Sequence, residues 1–335
     1  MSSSPPARPA ARDSRPIPRL RWRPTREADL GQCMALLPAW LGLEDRKPAL
    51  QALWRELLDD PAITTTVMED LALPAPQRLL GWGCSVVLPT AHAQALGLQG
   101  DPPQPPGPLV AGLYQRWMAG EPRPDLKALA EANGQGQLHL LNLHYAQRPA
   151  NLADPLALAV LAVANDAFRF AVGGWQLQAM HIEGCAADVP MFTAAGFPLC
   201  PYAQSGPWDR LPDELRPTHF GITRRAALAM LPGTSVRQAF DHYPPRFRFS
   251  PSQRRLLWLA LFDDSDEALM ARLEASIHAL KKLWRGIYER IEDVAPGFFG
   301  DELERADDDG KRGPEKRRQV LAYVRQRPEE LRPWA

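Results

Sequence analysis

Apolar and polar positions cycle regularly enough along this chain to divide it into elements. Leu20–Arg23 reads as a short strand, Glu27–Leu37 as a helix and Pro48–Leu58 as a second helix. Ala62–Glu69 and Leu79–Leu88 have the β-branched and apolar content of strands, the latter interrupted by Gly81 and Gly83. After the proline-rich loop Asp101–Pro108, helical spacing covers Leu109–Met118 and Asp125–Ala132, and Gln137–Tyr145 returns to strand. Asp154 and Pro155 open a long apolar helix that runs to Val172 and ends at Gly173 and Gly174. Trp175–Ile182 reads as a strand, Val189–Ala195 as a short helix stopped by Gly196, and His219–Arg225 as a late strand. This order predicts a mixed α/β layer.

Beyond Phe249 only the helical period remains. Ser250, Pro251 and Gln253 form an S-x-x-Q helix start ahead of Leu256, Leu257, Ala260 and Leu261. Asp263–Ser265 break that pattern, and Asp266 and Glu267 begin a second helix carrying Leu269, Met270 and Leu273. Ser276 caps a third, whose apolar positions Ile277, Leu280, Trp284, Ile287 and Ile291 trace one face. His278, Lys281, Lys282, Arg285 and Glu289 lie off it. A short turn before a helix with a cationic outer face is the helix-turn-helix layout. An acidic loop, Asp301–Gly310, and a last helix over Pro314–Gln326 complete the chain.

Two resemblances follow. Residues 249–291, through SPSQRRLL, SDEALMARL and SIHALKKLWRGIYERI, resemble the LuxR-type helix-turn-helix of bacterial regulators without a gap. That resemblance implies that Lys281, Lys282 and Arg285 reach base edges, and that Ser276 and His278 lie at the DNA-facing start of the recognition helix. The chain departs from the pattern at Asp263 or Asp264, where the family has a glycine, and at Met270, Ala279 and Leu283. Leu20 to Arg225 resembles the GNAT acyltransferase fold, through LHLLNLHYA as its central strand and FTAAGF at Phe192–Phe197. GNAT enzymes seat the acyl-CoA pyrophosphate on a glycine-rich turn before a helix. Here that connection is AQRPANLADP, with no glycine from Ala146 to Val172, and Phe192 stands where the family often has a tyrosine acid. The resemblance therefore implies a GNAT-like domain that is non-catalytic.

Composition adds constraints. Lys and Arg total 39 against 39 Asp and Glu, so any polyanion binding must be local. Cys33, Cys84, Cys185 and Cys200 are scattered, which favours neither zinc nor a disulfide framework. No apolar run is expected to reach the roughly 18 residues of a membrane helix. His139 and His144, five apart on a strand, are expected on opposite faces without a shared metal. Trp22, Trp40, Trp54, Trp82, Trp117 and Trp175 suit a core.

The expected fold class is α/β, a GNAT-like mixed sheet with flanking helices, plus an all-α helix-turn-helix C-terminal domain. Residues 1–18 are expected as a disordered arm, 19–230 as the α/β domain, 231–248 as a linker and 249–330 as the DNA-binding domain. The expected function is a cytoplasmic, homodimeric bacterial transcription regulator that binds double-stranded DNA through Ser276, His278, Lys281, Lys282 and Arg285. Its N-terminal domain would sense a small-molecule effector or mediate association, with no enzymatic activity, cofactor, metal or membrane contact. The alternative is an acyl-CoA-dependent N-acetyltransferase with an accessory helical domain.

Overall fold

The computed structural model describes residues 17–263, 265–300 and 309–335. Its strands are β1 (Leu20–Pro24), β2 (Ile63–Asp70), β3 (Leu79–Pro89), β4 (Leu138–Gln147), β5 (Leu177–Cys185) and β6 (Pro217–Thr223). They lie in one sheet in chain order. The helices are α1 (Leu30–Ala35), α2 (Lys47–Leu57), α3 (Thr90–Ala95), α4 (Val110–Met118), α5 (Leu126–Gln135), α6 (Pro155–Val172) and α7 (Val189–Ala194). They continue with α8 (Arg224–Leu228), α9 (Ser235–Gln238), α10 (Pro251–Ala260), α11 (Asp266–Leu273), α12 (Ile277–Val294) and α13 (Asp309–Gln326).

All neighbouring strands pair antiparallel except β4 and β5, which are parallel. A parallel pair cannot be closed by a hairpin and needs a crossover, which α6 supplies. That helix lies across β1 to β4, while α5, Trp54 of α2 and Tyr114 of α4 pack on the other face. Its buried positions Ala157, Val160, Ala164, Ala167 and Ala171 recur at steps of three and four, and the small side chains let it approach the sheet closely. Pro155–Val172 has a mean hydropathy of 1.5 and is long and apolar enough to cross a membrane. This corrects the expectation that no run reaches that length, although here one side of the run packs on the sheet.

β4 carries a bulge that sequence alternation does not reveal. Ser85 of β3 pairs with Asn142 but the next residue, Cys84, pairs with His144, so Leu143 is an extra residue. Side-chain parity flips there. Asn142 and Tyr145 therefore share the α6 side of the sheet, where Gln147 also reaches α6 through Ala157 O. His139 and His144 consequently share the opposite face, which corrects their expected separation. They still hold different partners: His139 Nδ1 is 3.1 Å from His181 Nε2, and His144 Nδ1 is 3.1 Å from Tyr114 Oη.

The C-terminal helices form with the expected caps. Ser250 accepts from Gln253 N while Gln253 returns a bond to Ser250 N, and Ser265 and Ser276 cap α11 and α12. Their core, with Leu256, Leu257, Leu269, Leu280, Trp284 and Ile287, is separate from the sheet's core. Yet the bundle is fastened to the α/β part. Trp22 of β1 meets Phe262 at 4.8 Å and Phe170 of α6 at 5.4 Å. The tail Pro328–Arg332 returns to α6, where the buried Arg332 guanidinium donates to Phe170 O, Ala171 O and Gly173 O. Charge-assisted bonds made out of water hold far better than surface pairs. The expected linker over 231–248 is also not bare, since Val236 and Phe240 enter the first core and Phe247 the second. The expected N-terminal arm and acidic loop fall largely outside the described residues.

Candidate active site

β4 and β5 stay together only briefly. Leu138–Asn142 pairs with Leu177–Ile182, after which β4 continues to Gln147 on β3 alone and β5 continues to Cys185 on β6 alone. The two strands thus diverge into a wedge inside the sheet. Each presents a backbone edge that has no strand partner on that side, and such edges seek hydrogen bonds.

Two cavities fill the wedge on the α6 side, of about 360 Å³ and about 260 Å³. Both are lined by Asn142, Tyr145, Leu161, Ile182, Met191 and Phe192, and we treat them as two lobes of one cleft. Asn142 sits at the point of divergence, and its buried Oδ1 has no hydrogen-bond partner among the described residues. A buried acceptor left unmatched costs free energy until a donor arrives. Tyr145 Oη donates to Gln147 Oε1, and Gln147 Nε2 donates to Pro149 O at 2.9 Å and Ala157 O at 3.0 Å. Burial pushes the Tyr145 hydroxyl upward, so it keeps its proton at neutral pH.

The smaller lobe adds Trp40, Glu183, Cys185 and Asp188. The Glu183 carboxylate accepts from Leu109 N, Val110 N and Tyr202 Oη, all at 2.7 Å. Burial raises its pKa and those bonds pull it back. A carboxylate so fully engaged is a structural anchor for the start of α4. Burial also pushes the Cys185 thiol up to about 11, with Asp188 adding to the shift, so the sulfur is a poor nucleophile. Phe192 lies against Gly184, where an added Cβ would meet its ring at 3.0 Å, and 4.8 Å from Phe220. It shapes the cleft and transfers no proton.

A second hollow of about 670 Å³ opens at the other end of β4 and β5, bordered by His139, His181, Asp101 and Arg225. The near-coplanar His139 and His181 rings aim their facing nitrogens at each other. Among the described residues no group of His, Cys, Asp or Glu is placed to hold a metal.

The acyl-CoA pyrophosphate seat can be tested against these atoms. Pro155 removes one first-turn N–H of α6, the Asp154 carboxylate takes Leu156 N at 2.9 Å, and Asp154 O takes Leu158 N. A carboxylate already occupies the place where a phosphate would bind, so the residues present do not fit that group.

The five residues expected to contact DNA do not converge with this chemistry. Ser276 caps α12, and His278, Lys281, Lys282 and Arg285 are exposed along that helix. Sequence reasoning passed over Asn142 and Tyr145 because unbroken alternation sets them on opposite faces.

No family model matches the chain, and no curated protein matches it. Among solved structures, the spermidine/spermine N-acetyltransferase SpeG of Vibrio cholerae is similar at 12% identity, covering 61% of this chain and 93% of that one, with TM-score 0.32. Arabidopsis thaliana NAA60, solved with acetyl-CoA, is similar at 11% identity over 61% of this chain and 98% of its own, with TM-score 0.35. An uncharacterized Bacillus halodurans protein gives 11%, 62% and 86%, with TM-score 0.32. Values this low assign no substrate, donor or residue role. The named functions among these structures are acetyltransferases and none is a DNA-binding regulator; the expected non-enzymatic, LuxR-type regulator finds no counterpart in the comparisons and is set aside. A mixed six-stranded sheet with flanking helices and a diverging parallel β4–β5 pair gives the α/β part a GNAT-like fold.

Proposed function

We propose that the α/β part is an N-acyltransferase that moves an acyl group from a thioester to an amine in the β4–β5 wedge. The observation that supports this most is the pair of diverging strand edges lining a largely apolar cleft. An extended arm with amide groups can lie along such an edge as an added strand. Asn142 Oδ1 offers an acceptor to the incoming N–H, and Asp188 borders the smaller lobe through which the neutral amine would enter.

In the reaction the amine nitrogen attacks the thioester carbonyl carbon, the C–N bond forms and the C–S bond breaks. The nitrogen's proton leaves to solvent through the smaller lobe. Tyr145 Oη gives its proton to the departing thiolate and recovers one from solvent, with Gln147 fixing its orientation. The C-terminal helices have an accessory place in this reading.

Amine-dependent thiol release from an acetyl thioester, followed over a panel of amines, tests the activity. Tyr145→Phe keeps the ring and removes the proton, so kcat should fall about 100-fold with little change in KM. Equal kcat in the two proteins would remove Tyr145 from the chemistry.

A further inference from the structure

We infer that the acyl donor is a pantetheine thioester recognised without a pyrophosphate or nucleotide at its far end. This rests on the thioester reading of the wedge and narrows it. The cleft has two lobes, an unmatched buried acceptor and free strand edges, which suit a thin, amide-bearing arm ending in a thioester. The helix start beside it disfavours anions. At the entry to α6, Asn151 Oδ1 takes Ala153 N at 3.0 Å, Asn151 O takes Asp154 N at 2.9 Å, and Asp154 Oδ1 takes Leu156 N. Pro155 has no N–H to give.

The turn therefore uses the N–H groups of Ala153, Asp154 and Leu156 internally and sets a negative carboxylate at the positive end of the helix. A pyrophosphate would have to displace that carboxylate and find new N–H groups in a turn without a glycine from Ala146 to Val172. Pantetheine meets neither obstacle, because its arm is uncharged. The same arm occurs free or attached to a carrier protein, and the chemistry in the wedge is common to both.

The test is calorimetric titration of the full chain with pantetheine, coenzyme A and adenosine 3′,5′-bisphosphate. Pantetheine and coenzyme A should bind with Kd values within about threefold of each other, and the bisphosphate should not bind. Asp154→Ser keeps a capping oxygen and removes the charge, so it should strengthen coenzyme A binding relative to pantetheine. Coenzyme A binding about tenfold or more tightly than pantetheine would overturn the inference while leaving the thioester reading standing. If neither binds, the thioester reading falls, and this inference with it. A pantetheine-loaded carrier protein, titrated alongside, distinguishes the sources: tighter binding than free pantetheine marks the carrier, and equal binding marks the free thioester.

Discussion

Lowering the pH from 7.5 to 5.5 should remove roughly 4 kcal/mol of folding stability, a large part of what a domain has. Buried histidines are responsible, chiefly His144, His181 and His219, which lie with His139 on one side of the sheet. Burial holds His144 down at about 3 and His219 at about 4, and it lowers His139 and His181 as well. For His181 the neighbouring His219 and His139 rings add to the effect. The sign follows from proton counting. Below the unfolded value near 6.5 the unfolded chain takes up protons that the folded chain refuses, so stability is full above that pH and falls as pH drops toward the folded values.

His144, His181 and His219, shifted well down, each contribute about 1.4 kcal/mol one unit below 6.5 and together give the figure above, while His139 and His242 are lowered too and act in the same sense. Glu183 and Glu330 have raised pKa values and act in the opposite sense as pH falls through their folded values. Urea unfolding midpoints measured at half-unit steps check this. They should decline steadily below pH 6.5. A flat profile to pH 5 would show that these rings are hydrated or charged in the folded protein.

Gly174→Ala should cost about 4 kcal/mol and loosen the C-terminal bundle from the sheet. Gly174 has φ +82°, a conformation that a side chain disfavours by about 1 kcal/mol. More seriously, an added Cβ would lie 2.3 Å from Glu329 Cα and 2.4 Å from Glu329 N. Backbone this close must move away. Moving the tail withdraws Arg332 from the carbonyls of Phe170, Ala171 and Gly173 and from the Trp175 ring, 5.2 Å away. It also disturbs Glu330, which accepts from Arg246 N, Phe247 N and Tyr323 Oη. Gly233→Ala is the control, since φ is +92° there but no atom lies within 4 Å of the added Cβ. Comparable losses in the two variants, by urea titration, would mean that the tail contact contributes little.

Much of the element order is legible in the sequence, because periodicity and caps are local. Asp154–Pro155 mark the start of α6, and Ser250, Ser265 and Ser276 mark three helix starts. The candidate site is not legible in the same way. It depends on one extra residue, Leu143, which turns Asn142 and Tyr145 to the same side. It also depends on where β4 and β5 part, a matter of non-local pairing that alternation does not encode. The helix-turn-helix expectation overreached for a related reason. Caps and an amphipathic stripe specify a helix and its buried face, while the use of the exposed face depends on the rest of the molecule. Trp22, Phe170 and Phe262, far apart in the chain, make the seam that binds the bundle to the sheet.

The central claim is that the wedge between β4 and β5 receives a thioester arm. Backbone amide hydrogen exchange of the full chain, with and without S-acetyl-pantetheine, tests it most directly. Added protection concentrated in Leu143–Gln147 and Glu183–Cys185 is the expected result, because an arm lying along those edges supplies the missing hydrogen-bond partners. Saturable binding that leaves both edges unchanged would contradict it.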